Sequence, residues 1–458
     1  MNRRMMTTRR RNPITVLGAG LCGSLLSILL ARRGFPVTVR ELRTDPRTTE
    51  VAAGRSINLA MSARGIRGLK YAGVFQNVDH LLLPMRGRMI HEIDGSTSLL
   101  SYGQREHEII YSVSRAALNE ILIEVAENEY GVEFLFEHAV VDFDRHTMTV
   151  TMRNADGEYE LPAENLIVAD GAGSKIRRAY NDKDPIRPTE NLLPHSYKEL
   201  TIPPRVGGGF ELDPEALHIW PRGEFMLIAL PNPAGDFTLT LFMPDEGPDS
   251  FAALDTRDKV THFFETHFAD VVPLIPDLED AYETNPVGIL GTVRCDHWHV
   301  DDRFLLIGDS AHAIVPFHGQ GMNLAFEDCV ELDSLLETEE SPDWAGVFAA
   351  FERRQLPNAN AIADMALENY VEMRDTVLDP KFALQKELSF ELERRMPRQF
   401  IPRYSMVMFH DEIPYAVAQD RGRQQADLLA ELTRKAKHLQ DIDMAMAEAR
   451  ARELLPAL

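Results

Sequence analysis

Two groups of residues, far apart in the sequence, have the types and spacing to hold a phosphorylated sugar. Gly18, Gly20 and Gly23 stand in a G-x-G-x-x-G spacing, directly after the apolar run ITVLG (14–18) and before a helical stretch at 24–33. A second strand-like run, VTVRE (37–41), ends in the acid Glu41. In such a unit the first glycine makes a tight turn, and the second, beside Ala19, lets backbone approach a pyrophosphate. The third packs helix on strand, and the terminal acid binds a ribose hydroxyl pair. The second group lies in RFLLIGDSAHAIVPFHGQGMN (303–323): a buried strand, Asp309 at its end, a Pro–Gly loop and a helix start. A helix N-terminus carries unpaired N–H groups and partial positive charge, so it holds anions. Gly319 and Gly321 let backbone come close to a planar ligand. A lone glycine fingerprint is weak evidence. Both groups together point to an enzyme that binds a flavin dinucleotide.

The elements that must position these groups follow from periodicity and turn residues. After the first β-α-β unit, GRSINLAMSARG (54–65) reads as a turn into a helix reaching about Ala72. Residues 84–102 alternate as strands around a turn at Asp94–Gly95, and 114–130 form an amphipathic helix capped by Ser114. Strands are expected at 132–136, 139–143, 147–153 and 165–169. From about 184 to 286 prolines become frequent, and HIWP (218–221), FMLIALP (225–231) and FTLTLFMP (237–244) suggest an antiparallel sheet beside a helix at 257–268. Gly207–Gly209 reads as a turn. Beyond Met322 the chain reads as helical, at 323–337, 344–354, from Asn358 onward, and at 419–455. The nucleotide-binding part is therefore discontinuous, with a sheet inserted into it.

With 458 residues, 44% hydrophobic and 26% charged, the chain suits a globular protein with a large core. A formal net charge of −23 argues against a nucleic-acid partner and for a cytoplasmic enzyme. Three cysteines, Cys22, Cys295 and Cys329, lack metal-ligand spacing and suit a reducing compartment, so no metal is expected. The basic leader MNRRMMTTRRRN has no apolar core of a signal peptide, and no run approaches the roughly 20 apolar residues of a membrane helix.

A third motif, DGAGSKIR (170–177), fits D-G-x-x-S-x-x-R and could grip ribose and phosphate; taken alone it reads as a surface turn into a helix. The order G-x-G-x-x-G, DG, GD resembles the single-component flavin aromatic hydroxylases of the p-hydroxybenzoate hydroxylase type. The resemblance implies an α/β fold: a Rossmann-like FAD-binding domain (1–82, 106–183 and 288–375) with an inserted antiparallel sheet domain for substrate (83–105 and 184–287). A C-terminal helical region (376–458) completes it. NADPH has no second fingerprint and is expected to bind transiently, with the DG motif serving both it and the flavin.

Within that superfamily, GRSINLA (54–60), MRGRMIH (85–91), YSVSRAALN (111–119), ELTIPP (199–204), HIWPR (218–222), TLFMP (240–244), AHAIVPF-x-GQGMN (311–323), NYVEMR (369–374) and FIPRYSMV (400–407) resemble the kynurenine 3-monooxygenase family. The resemblance implies that Arg88 holds a substrate carboxylate, a task for which the guanidinium fork suits better than lysine. It implies that Tyr102 shares that carboxylate and that Asn369 and Tyr404 bind the amino-acid end. Phe242, Met226, Phe317 and His318 would line the ring pocket, Met226 being nearly as readable as core. Gly18, Ala19, Gly20, Gly23, Glu41, Arg43, Arg55, Arg115, Asp309, Gly321, Met322 and Asn323 would hold FAD, the helix from Met322 aiming its positive end at the flavin. Arg43 is also readable as a solvated loop residue. The implied reaction takes L-kynurenine and molecular oxygen to 3-hydroxykynurenine, with NADPH reducing FAD and a flavin C4a-hydroperoxide delivering oxygen. His318 is a candidate acid or base by position, and packing is its plainer reading. Two departures stand out. GDSAH replaces the family's usual GDAAH, and the chain closes on a charged helix and LPAL where eukaryotic members carry an apolar anchor, so a soluble bacterial-type form is expected. A related hydroxylase acting on another amino-substituted aromatic, and a redox-inactive binding module of the same fold, remain open as alternatives.

Overall fold

The computed structural model describes residues 11–48, 58–336, 342–374 and 379–458. A six-stranded sheet runs in the order His299–Val300, Phe304–Leu306, Leu166–Val168, Ile14–Leu17, Val37–Arg40, Glu133–Leu135. All neighbours are parallel except the first pair. Short runs of Val, Ile and Leu buried on both faces are what a helix-covered parallel sheet demands. The register then does the positioning. Leu17 pairs with Arg40 and with Val168, and Val168 pairs with Leu306. Gly18, Glu41, Asp170 and Asp309 therefore leave the sheet along one carboxyl edge, where open α/β sheets bind ligands.

Two of the fingerprint glycines are required by the fold itself. Gly18 has φ +99°, and a Cβ there would lie 2.4 Å from the Ala169 carbonyl oxygen. A Cβ on Gly23 would lie 2.0 Å from the Gly18 carbonyl oxygen, so helix Leu21–Arg32 could not seat on the first strand.

The second large sheet has seven strands: Val287–Cys295, Pro188–Ile202, Phe237–Pro244, Phe225–Pro231, Ala216–Arg222, Gly87–His91 and Thr97–Ser101. It is antiparallel except where Ala216–Arg222 meets Gly87–His91. Period-two alternation gives it two working faces. Leu227, Leu239 and Leu241 bury against Phe263, Phe264 and Phe268, in and after helix Arg257–His267. Met226 and Phe242 point the other way and join Phe317, Tyr370 and Met373.

Several elements depart from the sequence reading. The turn expected before Ala63 contains a strand, Asn58–Met61. Strands Gly157–Pro162, Pro188–Ile202 and Val287–Cys295 were not expected, and the division placed at 287/288 falls inside the last of them. The two helical stretches on either side of residue 357 are one helix, Trp344–Arg374, running through Pro357. Asn358 Nδ2 donates to the Arg354 carbonyl beside that break in the backbone ladder. The expected helix at 419–455 is two, Tyr415–Thr433 and Met444–Leu454. These pack with Pro380–Arg395 around Leu388, Leu392, Leu428 and Ala451.

Candidate active site

A cavity of about 470 Å³ runs from the carboxyl edge of the parallel sheet to the inner face of the seven-stranded sheet. At its first end, helices Leu21–Arg32 and Gly321–Leu335 both begin against it. Neither has a side-chain cap or an acid in its first turn, so their N–H groups and positive dipole ends are unspent. Gly20 has ordinary extended backbone, and a Cβ built there meets nothing within 4 Å. That glycine leaves room for a ligand, whereas Gly18 and Gly23 leave room for the protein. Glu41 Oε2 accepts from Ala19 N (2.8 Å) and Oε1 from Arg43 N (3.0 Å), which ties the acid to the glycine turn. Asp170 lines the same end with a buried, unpartnered Oδ1. Burial, with Glu41 nearby, raises its pKa to about 6. Two uncapped helix ends, an open glycine and an orphaned carboxylate oxygen fit a dinucleotide's pyrophosphate and ribose hydroxyls.

The far end is built differently. Arg88 is buried, its Nη1 lies 3.4 Å from Glu372 Oε1, and its Nε has no partner. The guanidinium lies over Tyr404 (5.2 Å to the ring centroid) and Tyr102 (5.9 Å), whose rings stack at 5.4 Å. The Tyr102 hydroxyl is buried without a hydrogen bond, and burial pushes it up to about 12. Between the ends, Met226, Ile228, Thr240, Phe242, Phe317 and Met373 form a largely apolar wall. His318 stacks on Tyr404 (5.6 Å); burial and the nearby Arg403 and Arg88 push it down to about 3, so it is neutral and a poor base at physiological pH.

Of the residues expected from the sequence, Gly18, Gly20, Glu41, Arg43, Arg88, Tyr102, Arg115, Met226, Phe242, Asp309, Phe317, His318, Gly321, Met322 and Tyr404 line this cavity together. Arg55 lies outside the described residues. Ala19, Gly23, Asn323 and Asn369 do not line it. Asn323 is spent on protein: it accepts from Ser62 N and Gly65 N and donates to the Ala60 and Gly319 carbonyls. Asn369 Nδ2 donates to the Phe317 carbonyl at 2.5 Å, bracing the loop under the ring pocket. Arg177, the arginine of the DG motif, is fully buried and donates to the Ser310 carbonyl (2.9 Å) and to Glu190. It clamps the DG turn to the GD turn. Sequence reasoning did not single out Thr240, Met373, Lys175 or Arg40, which also line the cavity. Thr240 and Met373 lie inside quoted blocks, and period-two alternation with Phe242 was the available signal for Thr240.

Residues 11–192 and 276–363 match the FAD binding domain family. The kynurenine 3-monooxygenase of Stenotrophomonas maltophilia is 47% identical over 99% of this chain and 99% of its own length. That of Xanthomonas axonopodis pv. citri is 47% identical over 97% of each. Among solved structures, 2-methyl-3-hydroxypyridine-5-carboxylic acid oxygenase shares the fold with TM-score 0.62 at 20% identity, covering 82% of this chain and 96% of that one. Pseudomonas aeruginosa PqsL in complex with 2-aminobenzoylacetate does so with TM-score 0.62 at 22% identity, covering 79% and 96%. With glycine turn, GD segment and pocket on one cavity, and matched relatives covering nearly its full length, the chain belongs to the kynurenine 3-monooxygenase family of FAD-dependent hydroxylases.

Proposed function

We propose that this chain hydroxylates the aromatic ring of L-kynurenine beside its amino group, using FAD, NADPH and molecular oxygen. One observation carries the reading: a single cavity joins the dinucleotide end at Gly20, Glu41 and Asp309 to a buried, under-paired arginine at Arg88. Gly18, Gly20, Glu41, Arg43, Arg115, Asp309, Gly321 and Met322 would hold FAD, while Ala19, Gly23 and Asn323 shape the turns it rests on. Bound FAD, reduced by NADPH, supplies the activated oxygen.

The protein supplies binding, orientation and dryness. Arg88 and Tyr102 offer unpaired donors to the substrate carboxylate, and Tyr404 backs the guanidinium. Met226, Phe242 and Phe317 confine the ring and exclude water, which strengthens the electrostatic contacts around it. The ring's own amine activates the neighbouring carbon, so no protein base is assigned there. His318 is given a packing role, and Asn369 acts through Phe317. Three free thiols, two of them with Sγ atoms 3.8 Å apart at Cys22 and Cys329, support a reducing, cytoplasmic setting. Among the described residues no helix is long and apolar enough to cross a membrane.

The test is spectroscopic. Purified protein should be yellow, L-kynurenine should perturb its flavin absorption, and NADPH oxidation should accelerate when that compound is added. A colourless protein that takes up no added FAD would refute the reading.

A further inference from the structure

We infer that Tyr415, in the C-terminal helices, is a positioning residue for the hydroxylation: through Gln320 it fixes the turn from which the ring pocket and the flavin-facing helix both start. The inference rests on the proposed reading of the cavity. Gln320 is fully buried between the turn Pro316–His318, whose three residues line the cavity, and helix Gly321–Leu335. Its backbone carbonyl accepts from Leu324 N at 2.8 Å and so opens that helix. The Tyr415 hydroxyl donates to its Oε1 at 2.7 Å. Its Nε2 donates to Met408 Sδ at 3.0 Å and reaches the His318 carbonyl at 3.4 Å. Asn369 braces the same turn separately, at the Phe317 carbonyl.

Tyr415 is itself held in place. Its ring lies against the Arg64 guanidinium, 3.9 Å from Cζ to the centroid, and both residues are buried. Arg64, on helix Ala63–Ala72, donates to Glu327 Oε1 on the flavin-facing helix at 2.7 Å. Its other bonds run to the carbonyls of Met406, Val407, His410 and Ile413. Those four carbonyls form the corner between helices Arg403–Met408 and Tyr415–Thr433. A buried network in which each donor is spent holds one arrangement. Burial, with Glu327 nearby, raises the Tyr415 hydroxyl well above the usual tyrosine range, so it remains a donor at neutral pH. Gly319 and Gly321 flank Gln320, and glycines give a turn little stiffness of its own. The orientation of Phe317, His318 and the first N–H groups of the helix therefore depends on what grips the glutamine side chain. Reacting groups tolerate little misplacement, so such supporting contacts govern the outcome.

The experiment measures hydrogen peroxide and 3-hydroxykynurenine formed by the FAD-loaded full chain at saturating NADPH and L-kynurenine. Tyr415→Phe removes only the hydroxyl. It should keep its FAD and raise the ratio of peroxide to hydroxylated product by about 2- to 10-fold, the worth of one neutral hydrogen bond. Gln320→Met, which removes the other partner, should raise the ratio by a similar factor. The double variant should add little to either, because residues in one network are not additive. Thr433→Val removes a buried hydroxyl at the far end of the same helix and should leave the ratio at its wild-type value while lowering the melting temperature. A wild-type ratio in both Tyr415→Phe and Gln320→Met overturns the inference. So does full additivity in the double variant, or an equal rise in Thr433→Val, which would mark general loosening. Wild-type enzyme that forms no 3-hydroxykynurenine defeats instead the functional reading beneath it, and the inference with it.

Discussion

Replacing Arg88 by methionine isolates the anchoring claim. Met keeps an apolar stem of similar length and removes the fork that lies over Tyr102 and Tyr404. Truncating one partner of a buried, hydrogen-bonded charge pair costs about 2–5 kcal/mol in binding, or about 30- to 5,000-fold. The lower part of that range applies, about 30- to 300-fold on kcat/KM, because the Tyr102 hydroxyl remains to meet the carboxylate. Folding stability should change by about 1 kcal/mol or less, since a guanidinium 3.4 Å from its carboxylate partner, with Nε unpaired, recovers little of its desolvation cost. Arg88→Lys should fall between, keeping the charge without the fork. The assay is 3-hydroxykynurenine formation against L-kynurenine concentration, with flavin content and melting temperature recorded alongside. Wild-type kcat/KM in Arg88→Met would refute the anchor. Such a result would also favour an aromatic substrate without an amino-acid tail.

Three further outcomes follow from the geometry. Gly20→Val should fold normally yet purify without FAD, because its side chain enters only ligand space, whereas Gly18→Ala should destabilise the fold itself through its clash with Ala169; circular dichroism and flavin absorbance separate the two. Asp170→Asn should stabilise the apoprotein at neutral pH. The folded pKa of about 6 lies above the ordinary carboxyl value of 3.8, so the penalty for ionising Asp170 is complete above pH 6 and absent below pH 3.8. The gain, about 1–2 kcal/mol after allowance for the part water reaches, should vanish as pH falls through that window, and a pH-independent gain measured by denaturant titration would contradict it. Asn369→Ala should leave the Phe317 carbonyl unpaired, costing about 1–3 kcal/mol and loosening the ring pocket, visible as hydrogen peroxide released per NADPH consumed.

What could be read from the sequence divides along physical lines. Strands Phe225–Pro231 and Phe237–Pro244 were legible to the residue, because each is a short, largely apolar run closed by a proline. Ser114 announced its helix by a capping hydroxyl, which accepts from Ala117 N. Pro188–Ile202 was hidden: it starts on one proline, contains Pro194, and carries a register shift between Leu192 and Ser196 where its pairing is interrupted. Pro357 misled in the opposite sense, since tertiary packing carries the helix through it. At the site, the acids at the parallel sheet's edge were legible as cavity-lining residues, as with Glu41 and Asp309. Buried amides were not. Asn323 and Asn369 look like ligand groups in one dimension and turn out to satisfy backbone, a distinction that depends on which carbonyls the fold brings near. Glu372 was passed over for the converse reason: its pairing with Arg88 spans 284 positions.

The most direct measurement is product stoichiometry. Holoenzyme supplied with NADPH, oxygen and L-kynurenine should form close to one 3-hydroxykynurenine for each NADPH oxidised, with little NADPH consumed when the amino acid is left out. NADPH consumed at the same rate with and without L-kynurenine, yielding hydrogen peroxide and no hydroxylated product, would contradict a cavity in which ring and flavin meet.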